Sequence, residues 1–121
     1  MNQARRNHGL ERMRLDKQLS KVARRHSKRM ARHSALFHSS MTKLGQIVTR
    51  WRLLAENVGR GDGIAAIHRA FMKSSAHKAN ILRGALRHVG VGVVRRSGTI
   101  YVSVVFESRR DPGTTLSPPR C

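Results

Sequence analysis

The sequence predicts an α+β layered domain, with helices first and an antiparallel strand pair packed against them. Three observations predict it. Residues 9 to about 32 repeat their apolar side chains at helical spacing. Residues 88–95 and 99–107 alternate apolar side chains at strand spacing. A second, shorter helical pattern lies between them, over residues 63–73.

In the first stretch Leu15, Leu19, Val22, Ala23, His26 and Met30 recur at three- and four-residue steps. Leu10 and Met13 extend that face upstream, and no Pro or further Gly interrupts it. Such a stripe marks an amphipathic helix. His26 lies on the stripe and reads as a packed residue. Residues 34–43 are short and polar, with Phe37 and His38 at the centre, and read as a connection. Residues 47–54 are apolar and read as a helical turn, followed by a short strand over 52–57. Trp51 and Phe37 read as core, because aromatic side chains bury much area each.

Gly59, Gly61 and Gly63 mark a loop. Asp62 is placed to cap a helix to about Lys73, with Ile64, Ile67, Ala70 and Phe71 as its apolar face. Ser74 and Ser75 end it. Ser75 is placed to cap a further helical stretch holding His77, Asn80, Ile81 and Leu82. Val89, Val91 and Val93 then alternate with His88, Gly90 and Gly92. Ile100, Val102, Val104 and Phe106 alternate with Thr99, Tyr101, Ser103 and Val105. Arg96-Ser97-Gly98 suits a tight hairpin between the two strands. His88, at a strand start, is expected to be exposed, as are His8, His33 and His68. From residue 108 onward there is no periodicity, and Pro112, Pro118 and Pro119 suggest a flexible tail over 108–121.

Composition sets further bounds. A chain of 121 residues fits one domain. Aromatics make up 4%, so the core must rest mainly on aliphatic side chains. Against 25 Lys and Arg stand 6 Asp and Glu, a net charge of +19. Such a field attracts polyanions: nucleic acid, anionic lipid or acidic cell-wall polymer. The sharpest cationic feature is the outer face of the first helix, with Arg24, Arg25, Lys28, Arg29 and Arg32. It reads either as a solvated face or as a polyanion-binding patch. Nucleic-acid modules often interleave stacking aromatics, and Tyr101 is the only tyrosine. The single cysteine, Cys121, allows no internal disulfide and excludes CxxC zinc or redox motifs. No apolar run reaches bilayer length. Residues 1–14 are polar and hold no signal-peptide core. Ser103 has no His or Asp near it in sequence, so a serine nucleophile is not supported.

Several short motifs occur in one order. They are Arg6-Asn7-His8-Gly9-Leu10 with Leu15-Asp16 and Leu19, then Ala23, His26-Ser27 and Met30-Ala31. Leu36-Phe37-His38 and Ala55-Glu56-Asn57-Val58 follow. Next come Phe71-Met72-Lys73-Ser74-Ser75-Ala76-His77 through Asn80-Ile81-Leu82, and then Val89-Gly90-Val91-Gly92-Val93 with Tyr101 to Phe106. Together, over residues 6–107, they resemble the bacterial branch of the CAP superfamily, which unites cysteine-rich secretory proteins, antigen-five allergens and pathogenesis-related proteins.

The resemblance implies a three-layer α-β-α sandwich with a central antiparallel sheet. It also implies a secreted or envelope location. In the family two His and usually two acids line a cleft. By motif match the histidines are His38 and His77, and one acid is Glu56. The second acid is expected near His68-Arg69-Ala70-Phe71-Met72-Lys73, which contains none. Two imidazoles and a carboxylate are a reasonable set for a divalent metal such as zinc, so His38 and His77 are candidate metal ligands. A carboxylate in so basic a chain stays ionised, which suits Glu56 to accept hydrogen bonds rather than act as a general acid. The missing second acid weakens an acid/base mechanism. Asn57 and Asn80 read as fixing local backbone.

The expected function is a non-enzymatic ligand- or metal-binding module outside the cytoplasm, held on an anionic envelope by its basic surface. The alternatives are a metal-dependent hydrolase using the His/Glu cleft and a charge-driven nucleic-acid-binding protein.

Overall fold

A computed structural model describes residues 1–48 and 51–108 of the chain. In chain order the elements are α1 (Asn2–Asn7), β1 (Arg14–Leu15), α2 (Lys17–His33), α3 (Met41–Ile47) and β2 (Leu54–Gly61). There follow α4 (Ile64–Lys73), α5 (Ser75–Ile81), β3 (His88–Arg96) and β4 (Thr99–Glu107).

The four strands form one sheet in the order β1-β3-β4-β2. β2, β4 and β3 run antiparallel, as expected. β1 lies parallel to β3, so the sheet is mixed. Side chains alternate across a strand, and both faces here are covered. Met30, Ala31, Val58 and Tyr101 pack together on the α2 side, and Leu19, Val22, Ala23, Leu44 and Val105 form a second cluster there. On the other side Ile67, Phe71 and Ile81 pack on Val89, Ile100, Val102, Val104 and Phe106. The result is the three-layer sandwich, with α2 and α3 on one face and α1, α4 and α5 on the other. The hairpin between β3 and β4 turns on Ser97 and Gly98, with φ of 51° and 80°. Two successive positive φ values fit the primed turn that follows strand twist.

The valine–glycine alternation in β3 has a steric cause. A Cβ on Gly90 would lie 2.0 Å from the Leu19 carbonyl carbon, and one on Gly92 would lie 2.1 Å from the Arg24 nitrogen. Helix α2 therefore rests on β3 with its own backbone. Ser27, fully buried, closes the contact by donating to the Gly92 carbonyl at 2.7 Å.

Several expectations need correction. The long helix begins at Lys17, not Gly9. Gly9 adopts a left-handed φ of 70°, Arg14 and Leu15 pair with β3, and the buried Asp16 side chain caps α2 by accepting from Leu19 N at 2.8 Å. The strand expected at 52–57 runs instead over Leu54–Gly61, so Gly59 and Gly61 lie in the sheet opposite Val102 and Ile100. Neither Asp62 nor Ser75 caps a helix: the N-caps are Gly63 and Ser74, without a side-chain cap bond. Trp51 and Phe37 are not core, being 40% and 37% exposed. Trp51 donates to the Gly45 carbonyl at 2.9 Å, and Phe37 lies edge-on to His26 with ring centres 5.0 Å apart. His88 is not exposed but buried, at 2.7 Å from Glu107.

At the amino end Arg5 is fully buried. It donates to the carbonyls of Ile81 and Arg83 at 2.9 Å each, which ties α1 to the end of α5. At the other end Ser108 pairs with Leu53 through two hydrogen bonds. The rest of the expected tail, residues 109–121, lies outside the described residues.

Candidate functional site

β2 is an edge strand, and the candidate site is built around it. Glu56 shares a strand face with Leu54 and Val58, which pack toward α2 and α3. Ala55, Asn57 and Gly59 face the α4 and α5 side. His38 approaches from the segment before α3, and His77 from α5. The two histidines thus come from opposite helical layers to one sheet edge.

Glu56 is the best-held member. Its side chain is 1% exposed. Ser39 N–H donates to Oε1 at 2.7 Å, and the Ser39 hydroxyl donates to Oε2 at 2.5 Å. His38 Nδ1 lies 3.0 Å from Oε1. A carboxylate only accepts, so Nδ1 carries the proton in this contact and neutral His38 presents Nε2 as an acceptor. The His38 side chain is 60% exposed. Glu56 therefore fixes the 37–40 segment to the sheet and aims an imidazole outward.

His77 is aimed by other means. Its Nδ1 lies 2.8 Å from the Ser74 hydroxyl, and its ring stacks on Phe71 at 5.1 Å between centres. Asn57, fully buried, donates to the His77 carbonyl at 3.0 Å and accepts from Asn80 at 2.9 Å. That pair anchors α5 to β2, the backbone role expected of both asparagines. Burial pushes the His77 imidazole below the usual histidine value, and the nearby His38 lowers it further. That second cause records the proximity of the two imidazoles.

The metal reading meets a shortage of donors. Catalytic zinc sites take three protein ligands, and structural ones take four. Both Glu56 oxygens are engaged by Ser39 and His38, which leaves two imidazoles. Among the described residues no group of three His, Cys, Asp or Glu side chains is arranged to hold a metal ion. The site as built does not fit a zinc centre.

The five cationic residues expected on α2, Arg24, Arg25, Lys28, Arg29 and Arg32, are all exposed. His26 is packed as expected, and His8 and His33 are exposed; His68 is half-buried. Ser103 is buried, and its hydroxyl donates to that of Ser27 at 3.1 Å, since the Ser27 proton goes to the Gly92 carbonyl. Sequence reasoning missed Ser39, Ser74 and the Phe71 stack. Ser74 had a detectable signal, since a residue three before His77 at a helix start lies within reach of it. Ser39 had only its adjacency to His38.

Comparison with known proteins sets this geometry in a family. The family model described as "Cysteine-rich secretory protein family" (CAP) matches residues 1–106. The uncharacterized protein YkwD of Bacillus subtilis is 31% identical over 107 residues, covering 83% of this chain and 41% of that protein. The chain thus spans about two-fifths of the length of that relative. An extracellular protein containing an SCP domain, from Bacillus anthracis, superposes with a TM-score of 0.76 at 28% identity, over 89% of this chain and 37% of that one. An outer surface protein from Borrelia burgdorferi gives a TM-score of 0.81 at 18% identity, over 89% and 86% of the two chains. The sandwich, the motif order and the family match agree: the chain belongs to the CAP family of cysteine-rich secretory proteins.

Proposed function

We propose that this domain is a non-enzymatic binding module that works outside the cytoplasm. Its cleft offers the imidazoles of His38 and His77 to a small polar or anionic ligand, and its basic surface holds it on an anionic envelope. The observation that carries the reading is the state of Glu56. A general base needs a free lone pair aimed at a proton on water or substrate. Glu56 already accepts from the Ser39 backbone, the Ser39 hydroxyl and His38, and its side chain is buried. It supports the cleft and is poorly placed to activate water. The extracellular part is supported by relatives described as an extracellular protein and an outer surface protein. The envelope part is supported by the charge of +19.

Calorimetric zinc titration of the metal-stripped protein, beside His38→Ala and His77→Ala, tests the reading. The expected result is no micromolar binding in any of the three proteins. Micromolar binding by the wild type, lost in both variants, would restore a metal-dependent hydrolase as the leading function.

A further inference from the structure

We infer that the cavity between α2, α3 and the 34–40 segment is a binding site for a phosphate oxyanion that carries an apolar substituent. The inference rests on the reading of an anionic partner given above and adds a defined seat for it.

The cavity measures about 280 Å³. His38 is part of its lining, and His77 is not. Arg25 and Arg29 from α2 and Lys43 from α3 line it, and no Asp or Glu does so among the described residues. Glu56 lies behind the wall, engaged by His38 and Ser39. Gathering three cations with no carboxylate in the lining is still unfavourable, and an anion between them relieves it. Val22, Leu44 and Ile47 supply an apolar wall beside the cations. The volume is at the lower edge of ligand-sized pockets, so it suits one headgroup with a short apolar extension.

Arg29 is held in place rather than merely exposed. Its guanidinium donates to His26 Nδ1 at 3.0 Å. Arginine only donates, so Nδ1 is the acceptor and the His26 proton sits on Nε2. Nε2–H in turn donates to the Phe37 carbonyl at 2.5 Å. His26 is 1% exposed. A buried imidazole, fixed in one tautomer by the loop that forms the opposite wall, therefore orients a guanidinium at the cavity. Fixed guanidinium groups bind phosphate with paired hydrogen bonds. His26 is a positioning residue.

The same helix supplies its own control. Arg24, Lys28 and Arg32 are exposed on α2 but do not line the cavity. Two triple variants of the full chain each remove three positive charges: Arg25→Gln with Arg29→Gln and Lys43→Gln, and Arg24→Gln with Lys28→Gln and Arg32→Gln. Calorimetry at fixed ionic strength with hexyl phosphate and with inorganic phosphate is the measurement. Hexyl phosphate is expected to bind the wild type about ten-fold more tightly than inorganic phosphate, since burying about two methylenes is worth that much. The cavity triple is expected to lose about ten-fold or more, and the control triple less than about three-fold. Arg29→Lys keeps the charge but loses the contact to His26, and is expected to weaken hexyl phosphate about three-fold. Vesicles of phosphatidylcholine with and without phosphatidic acid distinguish the source. The same ranking of variants on acidic vesicles assigns a lipid headgroup, and binding of hexyl phosphate without vesicle binding assigns a soluble phosphoester. Both outcomes support the site. Equal losses in the two triples would overturn it and leave a diffuse anionic attraction standing. No binding of any anionic probe would overturn both.

Discussion

His88–Glu107 and His38–Glu56 join the same two kinds of side chain, at 2.7 and 3.0 Å. Each glutamate is buried, at 0% and 1% side-chain exposure, but the histidines differ, at 1% and 60%. His88 and Glu107 sit opposite one another on the paired strands β3 and β4, with Arg14 of β1 on the other side of His88. His38 sits on a segment at the sheet edge and turns its second nitrogen to solvent. In the first pair both partners serve the fold. In the second, the carboxylate serves the fold and presents a histidine to something else. Chemistry alone does not separate a structural pair from a binding pair; position across the sheet does.

That contrast is open to test, and the interior pair should give the largest effect. His88→Ala or Glu107→Ala removes one member of a buried pair, and chemical denaturation should show a loss of about 3–5 kcal/mol. A loss under about 1 kcal/mol would place this pair with exposed ones. Glu56→Ala should cost less, about 2–3 kcal/mol, because the Ser39 amide and hydroxyl lose their acceptor. His38→Ala should be the mildest of the substitutions, under about 1 kcal/mol, since most of its side chain already meets water. Glu56→Ala and His38→Ala with equal costs would mean that the carboxylate does not hold the segment.

The smallest effect is a titration. His77 should titrate below the usual histidine value of about 6.5 by NMR, and His38→Gln should move it upward by removing one of its two causes. The sign for stability follows. Where the folded value lies below the unfolded one, the unfolded chain binds more protons in between, so the His77 contribution is lost as pH falls through that window. An unchanged His77 titration in His38→Gln would mean that the two imidazoles do not sense each other.

Much of the contrast was legible in the sequence. The alternation in 88–95 and 99–107 gave the correct strand faces, and the motif order named His38 and Glu56, which the fold brings to 3.0 Å, and His77 as candidates. His88 was misread because a residue at a strand start usually meets solvent. The parallel addition of β1 brings Arg14 beside it, and that pairing depends on residues far away in sequence. The helix boundary at Lys17 was missed for a similar reason. Leu10 and Met13 continue the apolar period, yet the pairing of Arg14 and Leu15 with β3 overrides it. Trp51 and Phe37 show the limit of residue type as a guide, since each lies over a local partner instead of entering the core. The role of Ser39 needs the bend that carries it onto Glu56, which no spacing encodes.

The two glycines under α2 have one more consequence. A helix that touches a strand through side chains can roll by repacking them, but one seated backbone to backbone at Gly90 and Gly92 cannot. Its outward residues keep a fixed bearing, and those four apart advance by about 6 Å along the axis. The arginine face is thus a rigid ruler of positive charge. A partner meeting it has only side-chain freedom to quench, so the ordering cost of association is small from the protein's side.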